Sequence, residues 1–376
     1  MLYDIAVIGG GPAGSAAAIM LARAHRRTLL LDASLANEFK IGETVPPAGT
    51  RLLRELRILE QVSAAGHLRS YGTESAWGSN LLLGTDFIRD PDGPGWRLDR
   101  VPFDRMLRDA ARQTGADVGD QTRVVDAQRT AGEWKLAISS SAGSSTEARA
   151  KYLIDCTGRA SWLARRQRIR RSRNDRLIAI YQLFRSSNGA DKDSLTLVES
   201  TAEGWWYTAR LPSGCRLVVF LTDARSFARR QAREAGGFAT LLARTEHIRT
   251  RLEKHAYVPD DIPRATAANS ARLESFAGEG WLAAGDAAIS HDPISSQGIL
   301  TALYSGVHAA RALDAALSGD SGPLADYPQL LENVYRAYVR NLAYVYGSER
   351  RWPAAVFWSR RRPAAPRPTE GLLSGA

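Results

Sequence analysis

Residues 285–299, with the sequence GDAAISHDPISSQGI, bring several side chains capable of chemistry together after the apolar run at 281–284. Asp286 follows this run, and its carboxylate can accept hydrogen bonds from ligand hydroxyls. His291 is a titratable imidazole that could exchange a proton near neutral pH, or could be a satisfied structural residue. The pattern turns helical at about Gln297, and the N–H groups of a helix start stabilise negative charge. The stretch therefore favours a ligand clamp, with serine capping of a buried helix as the alternative.

A glycine-rich turn near the N-terminus indicates a second part of a ligand site. The stretch YDIAVIGGGPAGSAAAIMLARAHRRTLLLDAS has the pattern of a strand, a turn, a helix and a second strand. Gly9, Gly11 and Gly14 have the G-x-G-x-x-G spacing, which permits a tight turn, close approach to a pyrophosphate and close helix–strand packing. Asp32 ends the second strand, where its carboxylate could accept from a ribose hydroxyl. These features together predict dinucleotide binding.

The glycine pattern alone does not separate FAD from NAD, but residues 285–299 do. FAD has a ribityl chain whose hydroxyls need an acceptor, and Asp286 at a strand end suits that need. The flavin pyrimidine gains negative charge on reduction, and a helix start at residues 297–299 would place N–H groups against it. We therefore predict FAD as the cofactor.

Length and composition set the remaining limits. The chain has 376 residues, 44% of them hydrophobic and 24% charged, which is ordinary for a globular protein with a large core. No apolar run of about 18 residues occurs, and the first residues already have a strand pattern rather than that of a secretion signal. Cys156 and Cys215 are too few for a disulfide framework or a zinc site, so we predict no metal and a cytoplasmic location.

The formal net charge of +10 comes partly from two arginine clusters, at residues 165–176 and 359–368. A basic surface can attract an acidic partner, a nucleic acid or a phosphate-bearing ligand. A general bias of the composition towards arginine explains the charge equally well. No nucleic-acid-binding motif accompanies it, so we expect no nucleic-acid partner.

Three motifs occur in the order GGGPAG at 9–14, DCTGRAS at 155–161 and GDAA at 285–288. In this order they resemble those of the FAD-dependent monooxygenase superfamily with the p-hydroxybenzoate hydroxylase fold, which also contains flavin-dependent halogenases and geranylgeranyl reductases. The resemblance implies an α/β fold, with a Rossmann-type FAD-binding domain, an inserted antiparallel sheet and C-terminal helices. The residues expected to contact FAD are Gly9, Gly11, Pro12, Ala13, Gly14, Asp32, Ala33, Gly42, Glu43, Arg100, Val124, Gly158, Asp286, Pro293, Gln297, Gly298 and Ile299.

The stretch IGETVPPAGTRLL (41–53) resembles the Gly-Glu-Ser/Thr-x-x-Pro segment of halogenases. This resemblance places Glu43 near the flavin edge as a second candidate catalytic residue beside His291, with an acid near a helix N-terminus as the alternative. Halogenases carry a lysine shortly downstream, whereas residues 67–80 contain none, and GWWYTA at 204–209 replaces their W-x-W-x-I-P motif. These departures disfavour halogenation.

Four further stretches resemble a narrower group of flavoproteins, which mature tryptophan-derived quinone cofactors inside amine and amino-acid oxidising enzymes. They are SYGTESAWGS, GWRLDRVPFD, GWWYTARLPSGCRLVVFLTD and SHDPISSQGI. The group includes partner proteins of lysine ε-oxidase and glycine oxidase, and the flavin monooxygenase of quinohemoprotein amine dehydrogenase. The resemblance implies hydroxylation of a tryptophan side chain in a precursor polypeptide. One departure is Arg97, which stands where histidine is expected.

Residues 174–222 alternate in polarity and predict an antiparallel sheet that forms the substrate wall. Successive strand residues face opposite sides, so Trp205 and Tyr207, or Trp206 alone, can face the pocket. Trp77 is a further pocket candidate, and core packing is the alternative for each ring. The expected domains are an FAD-binding domain (1–70, 98–165 and 270–320), a substrate domain (71–97 and 166–269), a helical segment (321–362) and a disordered tail (363–376).

Four functions fit the sequence. A flavin monooxygenase could act on a tryptophan or similar ring in a partner polypeptide, or on a free aromatic metabolite. The chain could instead be a reductase of the geranylgeranyl type, or a non-catalytic FAD-binding partner protein. We favour the first, with O2 as cosubstrate, NAD(P)H or a separate reductase as electron donor, and a monomer or dimer as the assembly.

Overall fold

The computed structural model describes residues 1–34, 39–141, 143–187 and 189–362. The segment 363–376, for which the sequence predicts disorder, lies outside these ranges. Twenty-two strands occur in the described ranges: β1 (Leu2–Ile8), β2 (Thr28–Leu31), β3 (Thr44–Val45), β4 (Leu68–Ser70), β5 (Gly72–Ala76), β6 (Leu83–Asp86), β7 (Gly95–Arg97), β8 (Asp117–Gly119), β9 (Thr122–Thr130), β10 (Glu133–Ser140), β11 (Ser145–Asp155), β12 (Arg171–Arg173), β13 (Leu177–Ser186), β14 (Leu195–Thr201), β15 (Gly204–Arg210), β16 (Arg216–Asp223), β17 (Tyr257–Pro259), β18 (Arg264–Ala267), β19 (Ala271–Leu273), β20 (Ala277–Gly278), β21 (Trp281–Ala283) and β22 (Ile289–Ser290).

The α-helices of the same ranges are α1 (Pro12–Arg23), α2 (Gly49–Glu55), α3 (Leu59–Ala64), α4 (Arg100–Gln113), α5 (Trp162–Arg166), α6 (Phe227–Gln231), α7 (Gly237–Leu242), α8 (His247–Lys254), α9 (Gly298–Leu317), α10 (Gly322–Ser348) and α11 (Val356–Ser359). Short 3-10 turns occupy Gly158–Ala160, Gly285–Ala287 and Pro293–Ser295. Within the part of the chain that the structure describes, no helix has both the length and the apolarity that a bilayer crossing requires.

The first large sheet has the strand order β20-β21-β11-β1-β2-β8, with the β9–β10 hairpin joined to β11. Strands β21, β11, β1, β2 and β8 pair in parallel, and α1, α4 and α9 cover the sheet. Because a parallel sheet is covered by helices, its strands are continuously apolar, as in the buried β2 sequence TLLL. This arrangement confirms the predicted α/β class.

The second large sheet has the order β17-β13-β16-β15-β14-β5-β6, with β18 also paired to β13. Its strands are antiparallel except for the parallel pair β14–β5. One face packs against the helices α6 to α8, and we call the opposite face the ceiling face. The strand β15 shows the division: Trp206 stacks on Phe220 at 4.5 Å and meets Phe238, while Trp205 and Tyr207 lie on the ceiling face.

The C-terminal segment fastens α10 to the second sheet. Trp358 Nε1 donates to the carbonyl of Thr201 at 2.8 Å, and Arg361 pairs with Asp223 at 2.6 Å. Glu349 is fully buried and accepts from the backbone of Gly78 at 2.7 Å. These bonds hold the end of α10 beside the ceiling face. The division of the chain into domains stays a prediction.

Candidate active site

A cavity of about 1160 Å³ is lined by residues of both large sheets and of helices α1, α4, α9 and α10. It brings together almost every residue that the sequence singles out for a site. Those that line it are Gly9, Gly11, Pro12, Ala13, Asp32, Ala33, Gly42, Glu43, Trp77, Arg100, Val124, Gly158, Trp205, Tyr207, Asp286, His291, Pro293, Gln297, Gly298 and Ile299. Gly14 does not line it. The roles of these residues stay predictions, which the following geometry supports or qualifies.

The glycine turn between β1 and α1 forms one end of the cavity. Gly9 has φ +108°, and a Cβ there would lie 2.3 Å from the carbonyl oxygen of Cys156. At Gly14 a Cβ would lie 1.8 Å from the oxygen of Gly9, so this glycine serves packing within the turn. At Gly11 a Cβ would meet no atom within 4 Å. Gly11 is also the N-cap of α1 and has no side-chain bond to the helix start, so free N–H groups face the cavity.

Asp32 lies at the same end and is 5% exposed. Its Oδ1 accepts from the backbone of Gly10 at 3.2 Å and from Ser34 at 3.1 Å, and its Oδ2 lies 3.3 Å from Arg108. Arg108 also reaches Asp120 at 2.8 Å. The arginine therefore orients the carboxylate that the sequence assigns to a ribose.

Arg100 opens α4 and lies along the wall between the two ends of the cavity. It donates to the carbonyl of Gly42 at 2.9 Å and forms a two-pronged pair with Asp104 at 3.1 and 3.2 Å. Lys40 lies 3.5 Å from the same carboxylate and 3.3 Å from Ser34. The bonds of Arg100 thus fix the 40–43 segment, and its side chain still lines the cavity.

Asp286 follows β21 and forms an ion pair with Arg159 at 3.3 Å. Arg159 comes from the middle motif and also donates to the carbonyl of His291 at 3.1 Å. Arg171 also contacts this turn: it donates to the carbonyl of Asp286 at 3.0 Å and to the hydroxyl of Ser290 at 2.9 Å. Burial lowers the pKa of Arg171 to about 10, well above neutrality, so it stays charged. Two arginines therefore position the turn that presents Asp286.

The start of α9 forms the far end of the cavity. Gln297 is its N-cap and makes no side-chain bond to the helix, and Gly298 and Ile299 follow it along the cavity wall. Ser296, with φ +52°, turns the chain into the helix. Close packing makes this position rigid, because a Cβ on Gly306 of α9 would lie 2.2 Å from the Ala13 oxygen of α1. The two helix starts thus face one cavity from adjacent, tightly packed helices.

Two adjacent titratable residues lie beside this helix start. His291 is 4% exposed, and neither of its ring nitrogens has a hydrogen-bond partner among the described residues. Burial lowers its pKa to about 4, so the imidazole is neutral at pH 7. Asp292 is 1% exposed and accepts from the Tyr346 hydroxyl at 2.6 Å and from the Ile294 backbone at 3.0 Å. Burial raises its pKa to about 7, which poises it for proton exchange near neutrality.

Aromatic side chains of the ceiling face cover the same end of the cavity. Trp205 Nε1 donates to Tyr346 at 3.0 Å, which links it to Asp292 through one hydroxyl. Tyr207 lies 6.2 Å from Trp205 between ring centroids, and Trp77 packs edge-on against Trp205 at the same spacing. These rings thus form an aromatic wall at the end of the cavity where Asp292 lies.

Glu43 is 4% exposed, and its Oε2 accepts from the Gly42 backbone at 3.1 Å. The guanidinium of Arg97 lies near Glu43, although the two form no direct ion pair. Arg97 is 2% exposed and donates to Ser70 at 3.3 Å and to Thr196 at 2.9 Å, while its Nη1 has no partner in the described ranges. Burial lowers the pKa of Arg97. The arginine found where histidine was expected is therefore a buried cation behind the cavity wall.

Sequence reasoning missed four charged residues that shape the site: Arg97, Arg108, Arg159 and Asp292. Arg159 and Asp292 stand inside motifs that the sequence had already marked, so their positions were a signal. Arg108 lies on α4 about two turns after Arg100, and the sequence alone gave no comparable signal for it. Nothing in the sequence indicates that Arg97 would be buried without a full set of partners.

The described residues fit FAD. The cavity exceeds the roughly 300–1,000 Å³ of ordinary small-ligand pockets, as a dinucleotide with a second substrate requires. The uncapped start of α1 and the open space at Gly11 suit a pyrophosphate, and Asp32 suits a ribose. The start of α9 suits a ring that gains negative charge.

Comparisons with known proteins agree with this geometry. The family described as FAD binding domain matches residues 2–341. LodB of Marinomonas mediterranea, named as an FAD-dependent oxidoreductase, is 29% identical over 361 residues, which cover 96% of each chain.

Two solved structures are similar in fold. CmlS, a flavin-dependent halogenase, has a TM-score of 0.88 at 24% identity, covering 98% of this chain and 68% of the other. QhpG, a peptidyl tryptophan dihydroxylase essential for tryptophylquinone cofactor biogenesis, has a TM-score of 0.73 at 24% identity, covering 96% and 79%. These two structures confirm the predicted fold, and the family match over residues 2–341 confirms the predicted superfamily.

Proposed function

This chain belongs to the FAD-binding domain family, and from that premise we propose that it is a flavin monooxygenase that hydroxylates an aromatic ring. We favour a tryptophan side chain of a precursor polypeptide as the substrate. The observation that carries the proposal is that Trp205, Tyr207 and Trp77 line the same cavity as the start of α9 and as His291, whose ring nitrogens have no partner among the described residues. An indole ring is an apolar, planar guest for such a ceiling.

Bound FAD would supply electron storage and oxygen activation, with NAD(P)H or a separate reductase as donor and O2 as cosubstrate. The start of α1, Asp32 and Arg100 would hold its phosphate and ribose groups. The start of α9 would stabilise the negative charge of the reduced flavin, since its N–H groups are free of side-chain caps. Close packing of the two helices keeps these groups fixed relative to each other.

Hydroxylation replaces a ring hydrogen by a hydroxyl group, so a proton must leave the ring carbon. The neutral imidazole of His291 has no partner for either nitrogen among the described residues, and it can accept this proton or orient the ring. Asp292 has the better matched pKa, about 7, and is joined to the ceiling through Tyr346 and Trp205. We assign the removal of the ring proton to His291 and Asp292. We expect Asp292 to be the residue that mainly holds this proton.

The halogenase relatives make halogenation the natural rival. The lysine among the described cavity-lining residues is Lys40, which contacts Ser34 and Asp104 at the Asp32 end. Its ammonium group thus contacts these polar side chains, while the neighbouring Phe39 and Ile41 pack against the ceiling face. A lysine-dependent halogen transfer beneath Trp205 and Tyr207 is therefore not supported.

The test uses the FAD-loaded protein, NADH or NADPH, O2 and two tryptophan probes. One probe is N-acetyltryptophanamide, and the other is a capped heptapeptide with a central tryptophan flanked by threonine and valine. Nicotinamide consumption, peroxide release and product mass are measured in parallel, with bromide added in a separate series. The proposal expects a product heavier by one or two oxygen atoms. Complete diversion of electrons to peroxide with both probes, or a brominated product, contradicts it.

A further inference from the structure

Two rows of side chains cross the ceiling face from the cavity to the free edge of the second sheet. Residues paired directly across strands lie on one face, so the register defines the rows. The first row contains Tyr207, Val198, Ser75 and Leu83, and the second contains Thr196, Thr73 and Thr85. Both rows end on β6.

The cavity wall continues along these rows onto the protein surface. Six of the seven side chains line the cavity, and the seventh, Leu83, is 61% exposed. Tyr344 of α10 also lines the cavity and is 79% exposed. The cavity wall therefore reaches the protein surface at β6, next to the exposed Leu83.

β6 is an edge strand whose outer backbone groups are unpaired in the sheet. The sheet order ends at β6, and all four of its residues are exposed. The Phe87 N–H donates to the Tyr71 carbonyl at 2.9 Å, so the alternation of an antiparallel ladder directs the groups of Thr85 and Leu83 towards β5. The N–H and C=O groups of Gly84 and Asp86 consequently point outwards.

Such an edge is a template for a further strand unless a charged side chain, a proline or a cover protects it. The β6 sequence LGTD contains no lysine or proline, and its one charged side chain, Asp86, accepts from the Ile88 backbone N–H at 2.7 Å. Gly84 leaves the edge open, since a Cβ there would meet no atom within 4 Å. In a strand added at this edge, every second side chain would lie on the ceiling face. These side chains would continue the two rows that lead into the cavity.

We propose that the β6 edge binds an extended segment of the substrate polypeptide as an added strand, so that an aromatic side chain of that segment is directed along the two rows into the cavity. This inference rests on the proposed function and names how its substrate is delivered. The occupant is a polypeptide, because the cavity wall reaches an exposed edge strand whose outward N–H and C=O groups match those of an extended main chain. Main-chain bonds would supply affinity, and the aromatic ceiling would supply selectivity.

The test measures binding of the two tryptophan probes to the FAD-loaded protein by flavin fluorescence. Gly84→Pro removes one outward N–H and leaves the bonds of Thr85 and Leu83 to β5 in place, and Gly84→Ala is the matched control. We expect the proline variant to bind the heptapeptide about tenfold more weakly than the alanine variant, as for the loss of a good hydrogen bond. N-acetyltryptophanamide should bind all three proteins equally.

A second pair of variants guards against misfolding of the proline variant. Leu83→Asp introduces a charge into the first row. Leu81→Asp is its control, because Leu81 precedes β6 and has a similar exposed fraction of 72%. We expect only Leu83→Asp to weaken heptapeptide binding. The inference is overturned if the heptapeptide does not bind, or if the two variants of each pair bind it with equal affinity. These are binding readouts, so failure of the hydroxylation itself would appear separately, as absence of an oxygenated product from either probe.

Discussion

The two ends of the cavity are built in opposite ways. At the Asp32 end the acidic side chain is paired: its carboxylate contacts Gly10, Ser34 and Arg108. At the α9 end His291 has no partner for either ring nitrogen among the described residues. Paired groups stabilise the fold and fix a shape, whereas unpaired buried groups cost stability and are retained where they act on a ligand. We therefore expect the Asp32 end to bind a ligand in a fixed position, and the α9 end to be where the reaction takes place.

The largest effect on stability is expected at the glycine turn, where Gly11 and Gly14 have different roles. Gly14→Ala would place a Cβ 1.8 Å from the Gly9 oxygen, so it should destabilise the apoprotein severely. Gly11→Ala meets no protein atom, so the apoprotein should keep its stability and lose FAD affinity, because the added methyl occupies ligand space. Urea unfolding of the apoproteins and FAD titration separate the two. Equal loss of apoprotein stability in both variants would contradict this division.

A similar contrast applies to the adjacent tryptophans of β15. Trp206→Phe should lower the free energy of unfolding by about 1–3 kcal/mol, because the indole stacks in the core on Phe220. It should leave the KM for tryptophan probes unchanged. Trp205→Phe removes the bond to Tyr346 and alters the ceiling, so it should change KM and turnover. Steady-state kinetics beside chemical unfolding tests this, and altered KM in Trp206→Phe with unaltered KM in Trp205→Phe would reverse the assignment.

The pH dependence of stability should show opposite signs at the two neighbouring acid–base residues. Burial raises the pKa of Asp292 from 3.8 to about 7, so the native state holds this proton more tightly than the unfolded chain does. Its contribution to stability therefore falls as the pH rises from about 4 to about 7. Burial lowers the pKa of His291 from 6.5 to about 4, so its contribution rises over the window between those two values.

Asp292→Asn should remove the falling contribution, and His291→Gln should remove the rising one. The stability of the wild type relative to Asp292→Asn should thus decrease with pH, while that relative to His291→Gln should increase. Unfolding free energies across this pH range provide the measurement. Curves that run parallel to the wild type for both variants would show that neither residue has the environment described.

The smallest effect is expected at Arg108, which acts on the ligand through Asp32. Arg108→Ala should weaken FAD binding several-fold, since the Asp32 carboxylate loses its cation at 3.3 Å. Arg112→Ala is the control, because this arginine also contacts Asp120, at 2.8 Å, but makes no contact with Asp32. FAD titration of both variants checks the difference, and equal affinities would remove Arg108 from the site.

The difference between the Asp32 end and the α9 end of the cavity also explains which residues could be predicted from the sequence. Gly9, Gly11, Gly14 and Asp32 follow one another within a single strand–turn–helix unit, so local spacing was sufficient to identify that end. The alternation along β15 also limited which tryptophans could share a face, and the structure places Trp205 and Tyr207 on the cavity. Both inferences depend on short-range periodicity.

The reaction end depends on contacts between distant parts of the chain. Burial raises the pKa of Asp292, and the hydrogen bond from Tyr346 of α10, 54 positions away in the sequence, opposes that shift. Arg97 is buried because β4 and β14 meet around it, and the opening at β6 depends on the parallel pairing of β5 with β14. Such burial and pairing have no local sequence pattern, so they were accessible only from the fold.

The most direct test of the central claim is a single turnover with isotopically labelled O2. The FAD-loaded protein is reduced without oxygen, mixed with the tryptophan heptapeptide and then exposed to labelled O2, and the peptide is analysed by tandem mass spectrometry. The account predicts labelled oxygen on the indole ring of the central tryptophan. An unmodified peptide together with a full equivalent of labelled peroxide, or oxygen derived from water, would contradict it.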